Sequence, residues 1–374
     1  MTTPLTSTKL TAFAAIVLIF LGSAARAAEG TDFDDTAKFL AGMQPSAGSA
    51  LAPLTQRQGW QQHAKYLDTA WKDLERRQLS RIRAWSSRNM PEHEPVMFYM
   101  FSGPDFLYAD TFFPDASTYV LSGLEPVGYV PDLTRMSQGS AVRGLNHIQA
   151  SLATVLSYSF FITKDMKAKL RTGEFTGTLP ILYVFLARAG KTIREVSFVN
   201  LDKEGLIQPA LGTGPVSTAS GVKIIFSGND GRVRTLYYFS TNLSDGGVAN
   251  SGFLRFCERL GTGDSLIKSA SYLLHLNDFS KVRNFLLEHS AAIVQDDSGI
   301  PVGHFAPDRW VLYPFGSYYG PISIFSHHHQ AKLSKLFQKG RAMPIDFGIG
   351  YRWRAHETNL LLAIRKIARA QNGP

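Results

Sequence analysis

Apolar residues recur at intervals of three and four between residues 55 and 88: Trp60, Ala64, Leu67, Trp71 and Leu74, then Leu79, Ile82 and Trp85 after a one-residue slip. The opposite face carries Lys65, Lys72, Arg76, Arg77, Arg81 and Arg83. That pattern predicts a long amphipathic helix with a buried tryptophan stripe. A stripe left exposed would instead suit docking of a partner. Short apolar runs bounded by Gly and Pro dominate the rest of the chain and predict strands at 96–101, 119–121, 193–201, 222–226, 233–239, 310–315, 321–325, 345–353 and 359–364. The 222–226 and 233–239 runs flank Ser227-Gly-Asn-Asp-Gly231, which predicts a hairpin because Asn, Asp and Gly tolerate positive φ. Helices are expected at 33–43, 137–161, 163–171, 250–260 and 279–289, and 179–186 reads equally as helix or strand. The fold class is therefore α+β, with mixed sheets and packed helices preceded by the long N-terminal helix.

The stretch 96–128, VMFYMFSGPDFLYADTFFPDASTYVLSGLEPVG, concentrates the candidate chemistry. Its strands should be central, with Tyr99 or Phe101 largely buried. Asp105, Asp110, Asp115 and Glu125 lie among aromatics, and Ser102 ends the first apolar run. Two carboxyls facing one cleft suit general acid–base cleavage of a glycosidic bond. Catalytic candidates are Ser102, Asp105, Asp110 and Glu125, with Tyr99, Phe106 and Tyr108 as rings for a ligand to stack on. The competing reading places Asp105 and Asp115 in turns beside Pro104 and Pro114 and the aromatics in the core. Two regions also share a plan. Val96–Ser102 resembles Thr235–Ser240, and Ala116–Leu121 resembles Lys268–Leu274, as two related lobes would require.

Lys9, the apolar run Leu10–Leu21 and the ending Ala25-Arg26-Ala27 form a secretory signal with cleavage after Ala27. The expected organisation is a signal at 1–27, a helical region at 28–90, one α+β lobe at 91–205 and a second at 206–374. No later segment is apolar enough over enough length to predict a spanning helix. One cysteine, Cys257, excludes intrachain disulfides and reads as a buried small hydrophobe. Without Lys9 and Arg26 the 39 basic residues fall to 37 against 30 acidic, and nine of those basic residues follow Gln330 against only Asp346 and Glu357. Lys332, Lys335, Lys339, Arg352 and Arg354 are therefore candidates for holding an anionic envelope component, with nucleic acid an unexpected partner for an exported chain.

Motif tests remove several chemistries. Gly263-Asp264-Ser265-Leu266 spells the block that names the GDSL hydrolases, yet no Asn block follows it and no D-x-x-H comes after Ser265. The four residues read instead as a helix start capped by Asp264 or Ser265. Ser265-Leu-Ile-Lys268 fits S-x-x-K, but its companion Ser240-Thr-Asn242 precedes it and no K-T-G exists. His327-His328-His329 reads as a polar surface run, because adjacent histidines on one helix do not face one ion. No Walker loop, H-E-x-x-H or dinucleotide fingerprint is present, so no metal or cofactor is expected.

The expectation is an exported protein of the cell envelope or periplasm that binds a ligand or envelope component. A secreted glycan or ester hydrolase working through the 96–128 stretch is the alternative, and an accessory protein docking through the Trp-rich helix is a third. Protein recovered from outside the cytoplasm should begin at Ala28 on N-terminal sequencing; material that retains Met1 would contradict the signal.

Overall fold

A computed structural model describes residues 32–90, 92–158, 160, 174–210, 219–338 and 342–366. The strands are β1 Val96–Tyr99, β2 Thr118–Gly123, β3 Thr192–Leu201, β4 Ile207–Pro209, β5 Ser220–Ser227, β6 Val233–Ser240, β7 Gly263–Ile267, β8 Ser290–Gln295, β9 Trp310–Gly316 and β10 Asn359–Arg365. They form one ten-stranded sheet in the order β4-β3-β5-β6-β2-β1-β7-β8-β10-β9. The five central strands, β6-β2-β1-β7-β8, run parallel, and antiparallel strands extend the sheet on both sides. The chain is thus an α+β protein with a mixed sheet and packed helices. Strands from 91–205 are inserted among those from 206–374 in this sheet, and the boundary expected near residue 205 falls between the paired strands β3 and β4.

Helices cover both faces. On one face lie α1 Phe33–Leu40, α2 Gln58–Leu74, α3 Ser80–Asn89, α4 Phe106–Phe112, α5 Gln138–Tyr158 and α6 Leu179–Arg188, packed on Met97, Tyr99, Tyr119, Leu121, Leu236 and Leu266. On the other lie α7 Asp245–Ser251, α8 Phe253–Arg259 and α9 Ser280–His289, packed on Val96, Phe98, Val120, Phe239 and Ile293. Val96 and Phe98 go to one core and Met97 and Tyr99 to the other, the period-two alternation of a strand buried on both faces. Among the described residues no helix is long and apolar enough to cross a membrane.

The one-residue slip in the tryptophan stripe has a direct structural cause. A π-helical turn, Glu75–Leu79, joins α2 to α3 and inserts the extra residue that returns Leu79, Ile82 and Trp85 to the core side. Trp60 and Trp85 are buried, and the Trp85 ring meets Phe315 edge-on at 5.0 Å. The stripe is interior packing, so it offers no exposed surface for a partner.

Several local expectations are corrected. Gly263–Ile267 is a fully buried strand rather than a helix start. Its polar residues are satisfied sideways: Asp264 accepts from the backbone N–H of Glu94 at 3.0 Å and of Ala292 at 3.1 Å, and the Ser265 and Ser290 hydroxyls pair at 2.7 Å. The Ser265 hydroxyl is therefore committed inside the sheet, which removes the GDSL reading structurally as well. Strand β8 carries no strong alternation and escaped the pattern. Residues 321–325 enter a 3₁₀ helix, Ser323–His328, instead of a strand. Residues 345–353 turn tightly around Gly348 and Gly350, where an added Cβ would stand 1.7 Å from the Trp353 carbonyl oxygen or from Asp296 Oδ2. Lys268–Leu274 is loop and 3₁₀ turn whereas its counterpart Ala116–Leu121 runs into β2, so only the Val96 and Thr235 segments match as strand with strand. The helix expected at 163–171 lies outside the described residues.

Phe98 is fully buried against Phe285 at 5.2 Å, whereas Phe101 is only half-buried and faces a cavity. Phe98→Ala should cost ~3–5 kcal/mol in equilibrium unfolding, and Phe101→Ala less than half as much. Equal losses would show that the core boundary is misplaced.

Candidate functional site

Strands β1 and β7 are parallel neighbours, but their following helices leave for opposite faces, α4 to one and α9 to the other. The chain therefore parts at the carboxyl ends of these strands, the place where open α/β sheets form a crevice. A cavity of about 330 Å³ occupies it. Its walls come from the loops after β1, β2, β6 and β7, including Ser102, Asp105, Glu125, Thr241, Lys268 and Ser269.

At its base, Lys268 Nζ lies 2.8 Å from Asp105 Oδ2 and 3.8 Å above the centre of the Tyr108 ring. Both charged side chains are almost wholly buried. Asp105 also accepts from the Tyr99 hydroxyl at 2.9 Å and, as the N-cap of α4, from the Tyr108 N–H at 3.2 Å. Donors thus converge on Asp105 from its own loop, from β1 and from the far side of the crevice. Burial pulls the Lys268 ammonium below the ordinary lysine range, against the opposing pull of Asp105 and Asp296. Burial, with the Asp105 charge beside it, pushes the Tyr99 hydroxyl up, so Tyr99 remains a donor.

A second acidic pair, Asp296 and Asp297, follows β8 and braces the loop after β7. Asp296 accepts from the Ser269 N–H at 3.0 Å, and Asp297 accepts from the Tyr272 hydroxyl at 2.7 Å and from Asn359 at 3.2 Å. The braced loop is strained. Ser269, Ser271 and Tyr272 have φ of 52°, 50° and 55°, and Phe101 in the loop after β1 has 61°. Among the described residues these four are the only non-glycine positions with positive φ, and three of them line the cavity. Such strain costs on the order of 1–3 kcal/mol per residue and gathers at functional sites. Two cavity hydroxyls, Thr241 Oγ1 and Ser269 Oγ, are buried without a protein hydrogen-bond partner among the described residues. Gly123 leaves room for Glu125, since an added Cβ would stand 2.4 Å from Glu125 Oε2.

The expected site residues divide. Ser102, Asp105, Glu125 and Tyr99 line the cavity together. Ser102 Oγ nevertheless donates to the Gly103 carbonyl at 2.9 Å and accepts from the Ser122 N–H at 3.2 Å, which makes it a turn lock between β1 and β2. Asp110 lies elsewhere, paired with Lys191 at 2.7 Å, and Asp115 is an exposed turn residue. Phe106 and Tyr108 are fully buried core rings; Phe101, Phe160 and Phe279 supply the aromatic wall instead. Cys257 is buried, and burial pushes its thiol up, away from nucleophilic use.

Of the basic residues near the C-terminus, Lys332 and Lys335 are exposed on α10, Ala331–Gln338. Arg352 donates to the Gly320 and Pro321 carbonyls, Arg354 lies 3.5 Å from Glu357, and Lys339 is outside the described residues. His328 stacks on Tyr272 at 4.9 Å. Among the described residues no group of three His, Cys, Asp or Glu side chains converges as metal ligands would.

Sequence reasoning weighed Lys268 only as the lysine of an S-x-x-K motif with Ser265, and it missed Asp296, Asp297 and Thr241. The signal for the acids was present as a doublet, Asp296-Asp297, one residue after the apolar run Ala291–Val294. Comparison with protein-family models, curated proteins and solved structures finds no match to this chain.

Burial, reinforced by Asp297, pushes the Asp296 carboxyl up to about 7 from 3.8. Asp296 therefore favours the fold fully below 3.8, and that contribution is lost as pH rises through about 7. His63 and His275 act oppositely: burial lowers each from 6.5 to about 4, so their contribution is full above 6.5 and lost as pH falls through about 4. Asp296→Asn removes only the first effect. The melting-temperature advantage of wild type over this variant should shrink steadily from about pH 4 to about pH 7, the span of the Asp296 shift. A gap that does not change with pH would show that Asp296 titrates alike in both states.

Proposed function

We propose that the protein, exported by its signal, binds a small hydroxyl-rich molecule in the cavity at the ends of β1, β2, β6 and β7. The observation that carries this reading is the convergence of the buried Lys268–Asp105 pair, Glu125, two unpartnered hydroxyls and the strained loops on one cavity. Its volume of about 330 Å³ suits a ligand of on the order of ten non-hydrogen atoms, at ~30 Å³ per water-sized group. A monosaccharide or small polyol is of that size; a polymer chain is not. Among the described residues Lys268 is the one basic residue lining the cavity, against two carboxyls and several hydroxyl and amide groups. Acceptors thus outnumber cations, which favours a ligand that donates hydrogen bonds over an anionic one. Phe101, Phe279, Leu124 and Leu243 provide apolar contact for its carbon face.

Hydrolysis is the second reading, favoured by the presence of Asp105 and Glu125 in one cavity. Asp105, paired with Lys268 and Tyr99, would be the charge-stabilising member, leaving proton transfer to Glu125.

A thermal-shift and calorimetric screen of monosaccharides, polyols and their glycosides distinguishes the two. The binding reading expects a stabilising ligand that is recovered unchanged, and the hydrolytic reading expects glycoside cleavage. Gly123→Ala, which drives Glu125 from its place, should weaken binding or turnover at least about tenfold, the loss of one well-placed polar contact. A ligand held equally by wild type and Gly123→Ala would place binding elsewhere, and no ligand in either screen would reject the reading.

A further inference from the structure

We propose that Lys268 forms a reversible imine with the carbonyl carbon of a small hydroxyaldehyde or hydroxyketone bound in the cavity, with Asp105 carrying the proton. The inference rests on the binding reading above and names the reactive group of its ligand. Lys268 is the only amine on the cavity wall among the described residues, and its nitrogen is confined between Asp105 Oδ2 at 2.8 Å and the Tyr108 ring face at 3.8 Å. A lysine that is buried and loses part of its basicity is the usual form of an amine nucleophile.

The step balances within the pair. Asp105 takes one proton from the ammonium, and the freed lone pair attacks the carbonyl carbon while the carbonyl π electrons move to oxygen. That oxygen is protonated and leaves as water, and the nitrogen becomes a protonated imine. The sum is ammonium plus carbonyl giving iminium plus water, with Asp105 an anion at both ends. The cation beside Asp105 is therefore kept, so the reaction avoids stranding a buried carboxylate without its partner. The hydroxyls of Thr241 and Ser269, which lack protein partners among the described residues, stand in the same wall to receive the hydroxyl groups of the ligand.

Reductive trapping tests the proposal on the full chain. The protein is treated with glycolaldehyde and cyanoborohydride at neutral pH, and each lysine is followed by peptide mass mapping. An ordinary exposed lysine is neutral to only about four parts in ten thousand at pH 7. Lys268 should gain the hydroxyethyl group at least about tenfold faster than exposed Lys332 or Lys335. The wild-type ratio decides, because Asp105→Asn would remove both the proton acceptor and the charge that holds the Lys268 proton, two effects of opposite sign. Lys268 labelled no faster than Lys332 would overturn the proposal. Polyols without a carbonyl separate the two claims. If one of them binds and stabilises the protein while Lys268 stays unlabelled, the imine fails and the binding reading stands. If neither binding nor labelling occurs, both fail.

Discussion

The buried ion pair between Lys268 and Asp105 is the constraint on which the rest of the site depends. Two opposite charges at 2.8 Å, each almost wholly out of water, lose hydration worth several kcal/mol per ion and recover it only with good geometry and further hydrogen bonds. Tyr99 and the Tyr108 N–H complete the shell of Asp105, and the Tyr108 ring lies under the ammonium. The pair also bridges the loops after β1 and β7, the two parallel strands whose following helices go to opposite faces of the sheet. Loops that would otherwise part are tied across the mouth of the crevice.

The backbone around the pair is held in conformations that the chain does not adopt freely. Four non-glycine residues with positive φ occupy these same two loops, and the Asp296–Asp297 doublet fixes one of them through Ser269 and Tyr272. Strain, buried charge and unpartnered hydroxyls all oppose stability, and here they share one cavity. The remainder of the sheet meets the opposite standard. Its core strands are apolar on both faces, and polar residues within it, such as Asp264, Ser265 and Ser290, are paired. Local rules kept within the sheet and broken together at one cavity are the pattern of a functional site.

Much of the fold was legible because it follows from periodicity. The tryptophan stripe, its slip, the Ser227–Gly231 hairpin and the strands at β3, β9 and β10 all carry patterns that burial enforces. Legibility failed where tertiary pairing overrides local preference. Gly263-Asp-Ser-Leu looks like a cap because Asp and Ser favour caps, yet neighbouring strands satisfy both side chains sideways. Among the site residues, Asp105, Glu125 and Tyr99 stood in one conspicuous stretch. Lys268 lies 163 positions beyond Asp105, and only the parallel pairing of β1 with β7 brings the two together. The rings of Phe106 and Tyr108 were conspicuous for the same reason as the true wall, but burial sends them to the core.

The central claim is that the Lys268–Asp105 pair is kept for what happens in the cavity and not for the stability of the fold. A double-mutant cycle in equilibrium unfolding tests it most directly, using Lys268→Met, Asp105→Asn and the two combined, since Asn retains the cap on α4. Removing either partner alone leaves a buried charge and should cost ~3–5 kcal/mol. The neutral double variant should regain most of that loss, to within about 1 kcal/mol of wild type, while failing to bind any ligand that the wild-type cavity holds. A double variant as unstable as the worse single one would show that the pair is part of the scaffold, and the account of the cavity as a site built around it would be wrong.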